Sequence, residues 1–142
     1  MNLSKEQFTV IGSEGYIGKN MVQFLKKKNG NVNEINRISP ESLSKKNLGI
    51  IIYASGVTYD YKKRIIDLFY SDVVSLISML NKNYKMLIFL SSTRIYKNSN
   101  CSSEIDPIRM IVKDNESAYE ISKLSAEFIC LTRENTKIIR LS

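Results

Sequence analysis

The sequence predicts an α/β protein, a doubly wound parallel sheet of about five strands formed by one domain over residues 1–142. Three observations carry that prediction. Short strand-like apolar runs alternate with longer stretches of helical periodicity, the pattern of βαβ units. The strongest runs, Ile50-Ile51-Ile52-Tyr53-Ala54 and Met86-Leu87-Ile88-Phe89-Leu90, are apolar throughout, as strands covered on both faces are. Small or hydroxylated residues follow three runs: Gly12, Ala54-Ser55-Gly56 and Ser91-Ser92-Thr93. With right-handed crossovers these fall on one edge, beyond the carboxyl ends of the strands, where such sheets bind ligands.

The elements follow in order. Phe8-Thr9-Val10-Ile11 is a short buried strand ended by Gly12. From Tyr16 to Lys28, Ile17, Met21, Val22 and Leu25 recur at helical spacing, and Asn29-Gly30 supplies a stop. A weaker strand covers Asn31 to Arg37. Between Arg37 and Leu48 there are too few residues for a helix and a further strand. After the run at Ile50, a long helix is expected from Lys62 to Leu80, with Ile65, Ile66, Phe69, Val73, Leu76, Ile77 and Leu80 facing inward. The strand at Met86 comes next, then a polar loop over Asn98 to Asn115. A helix from Ala118 to Thr132 leads to a last strand, Lys137 to Leu141.

Composition narrows the function. The chain is 43% hydrophobic and 25% charged with two Pro, which describes one globular domain and excludes a disordered tail or a collagen-like repeat. No apolar run reaches the roughly 18 residues of a membrane span. The N-terminus, MNLSKEQF, lacks the apolar stretch of a secretory signal, so a cytoplasmic protein with no membrane partner is expected. There is no His, which removes His-based triads, imidazole bases and His-ligated zinc. Cys101 and Cys130 show no ligand spacing, so free thiols and no metal are expected. The net charge of +7 favours anionic partners. The basic residues are scattered, however, and the runs Lys26-Lys27-Lys28 and Lys62-Lys63-Arg64 read as solvated faces. No nucleic-acid recognition motif is present, and nucleic acid is not an expected partner.

The chemistry lies in the ordered motifs. Gly12-Ser13-Glu14-Gly15-Tyr16-Ile17-Gly18 directly follows the first strand and opens the first helix. Glycines there permit a tight turn, backbone approach to a pyrophosphate and close helix–strand packing. The helix N-terminus adds free N–H groups that favour phosphate. Glu14 sits awkwardly beside a diphosphate and is expected to point outward.

This G-x-x-G-x-x-G segment resembles the extended short-chain dehydrogenase/reductases, in particular the NAD(P)-dependent nucleotide-sugar epimerases and dehydratases. The resemblance continues in order along the chain. Ile52-Tyr53-Ala54-Ser55-Gly56 is similar to the family's strand that ends in small residues beside the cofactor. Phe69-Tyr70-Ser71-Asp72-Val73 resembles its F-x-x-N-V helix, with Asp72 where Asn is usual. Leu90-Ser91-Ser92-Thr93-Arg94-Ile95-Tyr96 is similar to S-S-x-x-V-Y, Tyr119-Glu120-Ile121-Ser122-Lys123 to the Y-x-x-x-K pair, and Ile138-Ile139-Arg140-Leu141 to the strand that follows. The implied fold is Rossmann-like. The implied cofactor is NAD(P), bound by Gly12, Gly15, Tyr16, Ile17, Gly18, Asn36, Arg37, Ala54, Ser55, Gly56, Tyr119 and Lys123.

The pair has a physical purpose. Tyr119 and Lys123, at i and i+4, share one helix face. A free phenol, with a pKa of about 10, is a poor base near neutrality, and a nearby ammonium favours the phenolate. Tyr119 would then exchange a proton with a sugar hydroxyl while hydride passes to or from the cofactor. The resemblance further implies that Lys123 bonds the nicotinamide ribose and Ser92 the reacting oxygen. Ser92, Tyr119 and Lys123 are thus the candidate catalytic residues, with Ser91 and Thr93 as weaker neighbours.

Departures from the pattern restrict the reaction. The 4,6-dehydratases carry Asp-Glu immediately after the Ser/Thr position, whereas this chain has Thr93-Arg94. Dehydration is therefore disfavoured, and oxidation–reduction at one carbon, as in a 4-epimerase or ketoreductase, remains open. Asn36-Arg37 at the end of the second strand gives a slight lean to NADP, while Glu34 pointing at the ribose would give NAD. The family's adenine-side strand is expected to be deleted or reduced. Its substrate-binding region is expected to be missing after residue 141, leaving the domain incomplete on its own. The expected partners are a nucleotide-sugar substrate and a second copy or a completing chain, paired through the helices carrying Phe69 and Phe128. The alternative is a non-catalytic NAD(P)-binding or interaction module derived from such an enzyme.

Overall fold

The computed structural model describes residues 5–39, 47–57, 59–99, 107–112 and 115–142; Cys101 and half of the expected polar loop lie outside them. Five strands, β1 (Gln7–Ile11), β2 (Asn31–Ile35), β3 (Ile50–Tyr53), β4 (Met86–Ser92) and β5 (Thr136–Leu141), form a parallel sheet. Their order is β2-β1-β3-β4-β5. The chain runs outward from β1 to β2, then returns to place β3 on the other side of β1. The switch point therefore lies between β1 and β3, where open sheets of this kind leave a crevice. Among the described residues β2 is an edge strand, in keeping with the shortage of residues between Arg37 and Leu48.

Period-two alternation divides the sheet into two faces. Phe8, Val10, Ile50, Ile52 and Leu90 pack with Val22 and Leu25 of α1 (Tyr16–Lys27). Ile11, Ile51, Tyr53, Leu87 and Phe89 pack with Leu76, Met79, Ala126 and Cys130. The latter four come from α2, which spans residues 65–80, and α3 (Ala118–Cys130). All four residues of β3 are buried, as its unbroken apolar run requires. β5 is half exposed, with Ile139 45% accessible.

The long helix differs from its sequence reading. A short 3₁₀ turn, Tyr61–Lys63, precedes it, and α2 itself begins at Ile65. Its middle, Tyr70–Val74, is a π-helical turn between the α-helical segments Ile65–Phe69 and Ser75–Leu80. The Tyr53 hydroxyl, from the adjoining strand, donates to the Ser71 carbonyl within that turn at 2.5 Å. Such insertions are a known cause of local widening. Burial, reinforced by nearby Asp72, pushes the Tyr53 phenol far up from its ordinary range, so it remains a donor. The wider turn rephases the helix. Leu68, Asp72, Leu76, Met79 and Leu80 face inward, while Ile66 is 85% exposed and Ile77 44% exposed, against expectation.

Two further boundaries have local causes. β2 ends at Ile35 because the Ile35 carbonyl accepts N–H groups from Gly12 at 2.7 Å and Ser13 at 3.3 Å, leaving Asn36 and Arg37 beyond the strand. β5 is tied to α3 by Arg140, which donates to both carboxylate oxygens of buried Glu127, at 2.7 Å for the shorter contact, and to the Tyr96 hydroxyl.

Cys130 is a free, fully buried thiol, pushed up to about 12 by burial and by the neighbouring Glu127 carboxylate. In a Cys101→Ser background the folded chain at pH 8 will react with a disulfide reagent at least about a hundredfold more slowly than the urea-unfolded chain. Stopped-flow absorbance of the released thiolate measures the ratio.

Candidate functional site

The glycine turn is held from both sides. Gly12 has φ +79°, a left-handed conformation that suits glycine, and a Cβ there would lie 2.8 Å from the Ala54 carbonyl oxygen. The Gly12 carbonyl accepts the Gly15 N–H at 3.0 Å, and Gly15 caps α1. Gly18 is buried beneath the turn, its hydrogen facing the Gly12 carbonyl where a side chain would collide. Tyr16 and Ile17 are exposed on the first turn of α1, which carries no acidic residue. The first-turn amides have no helical acceptor. The turn thus presents a bare backbone and the positive end of a helix dipole, the donor set that suits a diphosphate.

Beside it opens a cavity of about 440 Å³, within the size range of small-molecule sites. Gly12 and Gly15 form one wall, Asn36 and Arg37 a second, and Ala54, Ser55 and Gly56 a third; Arg64, Asp67, Tyr70 and Ser71 close it from the α2 side. These walls bring together seven of the expected cofactor residues. The remaining ones are arranged around them: Tyr16, Ile17 and Gly18 on α1, Tyr119 and Lys123 on α3.

Tyr119, Lys123 and Ser92 do not line that cavity, and Lys123 lies beyond its Gly56 end. A Cβ on Gly56 would stand 3.1 Å from both the Lys123 Nζ and the Asp72 Oδ1. The Lys123 ammonium sits 3.0 Å from Asp72 Oδ1, both side chains at 5% exposure or less, and the Ser122 hydroxyl donates to Asp72 Oδ2 at 2.9 Å. One turn earlier on α3, Tyr119 is buried against Tyr61, their ring centroids 5.5 Å apart. The Lys123 Nζ is 5.8 Å from the centroid of the Tyr119 ring.

Ser92 ends β4 and caps the 3₁₀ turn Thr93–Tyr96, its Oγ accepting the Arg94 N–H at 3.2 Å. Of its neighbours, Ser91 is buried, and Thr93 turns its hydroxyl to the Leu141 carbonyl. Arg94 links the two halves of the site. Its guanidinium lies over the Tyr119 ring, 4.4 Å from the centroid, and donates to the Tyr61 hydroxyl at 3.2 Å.

Sequence reasoning missed four of these relations. It noted Asp72 as a departure from Asn without seeing that Lys123 is its partner. It excluded Arg94 as an acid without placing it over Tyr119. It did not single out Glu120, which is buried near Arg94, at 3.8 Å, with neither oxygen hydrogen-bonded among the described residues. Finally, Glu34 is absent from the cavity lining and pairs with Lys26 of α1 at 2.5 Å, a partner the sequence reading did not give it. The carboxylate that does reach Asn36 is Glu14. It lies exposed as expected, and its Oε2 accepts from Asn36 Nδ2 at 2.6 Å. No sequence signal predicts a contact between a turn residue and the end of the next strand.

No protein-family model matches the sequence, and no curated protein matches it in sequence. Solved structures do match the fold. A short-chain dehydrogenase/reductase superfamily protein from Agrobacterium tumefaciens with bound NAD gives a TM-score of 0.77 at 17% identity, covering 94% of this chain and 48% of that one. A UDP-galactose 4-epimerase gives 0.74 at 17%, covering 94% and 55%. RMD from Pseudomonas aeruginosa complexed with NADPH gives 0.73 at 18%, covering 95% and 54%. This chain therefore spans about half the length of the structures it matches. At these identities the likeness is one of fold.

The buried pair makes a direct prediction. Asp72→Ala leaves an ammonium enclosed without a counter-charge and will lower unfolding free energy by about 3–5 kcal/mol. Asp72→Asn, which keeps an acceptor, will lower it by less. Urea denaturation followed by circular dichroism distinguishes the two.

Proposed function

We propose that this chain is the dinucleotide-binding part of an NAD(P)-dependent oxidoreductase of the epimerase type, acting at one carbon of a nucleotide sugar. One observation carries the reading. The glycine turn and the ends of β1 and β3 bound a single cavity, and the helix bearing Tyr119 and Lys123 stands directly behind its Gly56 end. The fold neighbours support it, because the solved proteins include one with NAD, one with NADPH and a UDP-galactose 4-epimerase.

In this reading the Gly12–Gly18 turn holds the diphosphate, and Asn36, Arg37, Ala54, Ser55 and Gly56 bound the adenosine side. The bound nicotinamide supplies a hydride acceptor and donor. Tyr119 exchanges the proton of the sugar hydroxyl. An ammonium has three donors, so Lys123 bonds Asp72 with one and keeps others for the nicotinamide ribose. The Ser92 oxygen accepts from the Arg94 backbone, which leaves its O–H to donate to the reacting oxygen. Elimination of water is disfavoured, since the positions that would carry an Asp-Glu pair hold Thr93 and the guanidinium packed on Tyr119.

Titration with NADH and NADPH, followed by turnover of UDP- and GDP-sugars at 340 nm, tests the reading. Tyr119→Phe will lower turnover by about a hundredfold or more while changing dinucleotide affinity by less than about threefold. Binding without turnover, unaffected by Tyr119→Phe, would favour the non-catalytic module. Failure to bind either dinucleotide would sink both.

The assembly expected from the resemblance is a pair of chains. The outer side of α2 carries Ile66, Val74 and Ile77, all exposed, and Phe128 of α3 is 74% exposed. Helices apolar on both sides are normally covered on both. Sedimentation velocity will show a dimer, and Ile66→Lys with Ile77→Lys will show a monomer of unchanged circular dichroism.

A further inference from the structure

We infer that Glu14, on the glycine turn, selects NAD over NADP: its carboxylate accepts from the adenosine ribose 2′-hydroxyl and repels a 2′-phosphate. The inference deepens the dinucleotide reading above and rests on it. In doubly wound folds the ribose meets the end of the second strand, where a carboxylate accepts its 2′-hydroxyl. Here that strand cannot provide one. Glu34 is drawn to Lys26 on α1, and the positions beyond the strand are Asn36 and Arg37.

The turn supplies it instead. Because the Ile35 carbonyl is bonded by the Gly12 and Ser13 amides, the glycine turn sits directly on the end of β2. The next residue is Glu14, and its side chain spans the remaining gap to Asn36, which lines the cavity. The Asn36 amide, from the cavity wall, donates to Oε2 at 2.6 Å and holds the carboxylate beside that wall. A carboxylate has about four acceptor sites, so Oε1 remains for a hydroxyl.

Arg37 lines the same wall and pulls the other way. Among the described residues nothing anchors its guanidinium, whereas Glu14 is anchored by Asn36. A 2′-phosphate brings a charge of about −1.5 to −2 next to a fixed negative group. A 2′-hydroxyl brings a donor that the same group can use. The preference suggested by Arg37 alone is reversed.

Isothermal titration with NADH and with NADPH tests this on the whole chain, without any sugar present. The unsubstituted protein will bind NADH at least about tenfold more tightly. Glu14→Gln keeps the shape, removes the charge, and will shrink that ratio by about tenfold, while Glu14→Lys will invert it. Glu14 is exposed, so the variants should melt like the parent, which thermal circular dichroism checks. Equal binding of the two dinucleotides, a preference for NADPH, or a ratio unmoved by Glu14→Gln would overturn the inference while leaving the dinucleotide reading intact. No binding of either would overturn the reading itself.

Discussion

An ammonium enclosed by protein is the constraint on which the site is built. Removing an ion of that size from water costs several kcal/mol even after relaxation, so Lys123 requires a carboxylate in contact and a donor to complete it. Asp72 and Ser122 meet both requirements. Satisfying them decides a series of other features. α2 must turn Asp72 inward, which the π-helical turn does, and that turn is supported by the Tyr53 hydroxyl on the Ser71 carbonyl. The loop after β3 passes the ion pair so closely that a Cβ at Gly56 would stand 3.1 Å from both Asp72 Oδ1 and Lys123 Nζ, a tight contact. Once α3 is fixed by Lys123, Tyr119 is carried one turn away to the same end of the sheet.

This dependence separates what could be read from the sequence from what could not. The strands at Ile50 and Met86 were legible because burial on both faces leaves an unbroken apolar run. The glycine turn was legible because its backbone geometry admits few other residues. The phase of α2 was not, because it depends on a hydroxyl from β3, far away in the chain, and periodicity within the helix contains no trace of it. Ile66 and Ile77 therefore satisfied an inward pattern and yet face outward. The partners of Asp72, Glu34 and Glu14 were equally hidden. Each is set by which strand ends and helix faces become neighbours, and a carboxylate at a plausible register position looks the same whether it meets a ribose, a lysine or an asparagine.

The two faces of the sheet are unequally covered, and this bears on how such a half-length unit works. α2 and α3 together close one face over β3, β4 and β5, whereas among the described residues α1 is the helix on the other. β1 and β3 are buried along almost their whole length, whereas β2 buries only Ile35 and the start of α1 is exposed at Tyr16 and Ile17. β4 has no exposed residue, and β5, the strand beside it, exposes Lys137 and Ile139.

Charge at the site follows the same logic of position over composition. A net +7 points to anionic ligands, yet the cations nearest the proposed chemistry are individually balanced. Lys123 faces Asp72, Arg94 lies near Glu120 and packs on two aromatic rings, and Arg64 pairs with Asp67 at 2.9 Å. In the proposed reading, what remains to meet a diphosphate is Arg37 on the cavity wall and the amide edge of the glycine turn, a set of fixed partial charges that needs no counter-ion. Recognition of the phosphates is thus, in the proposed reading, separated from recognition of the ribose substituent. The first depends on backbone that substitution of Gly12 would destroy, the second on a single exposed side chain that can change without disturbing the fold.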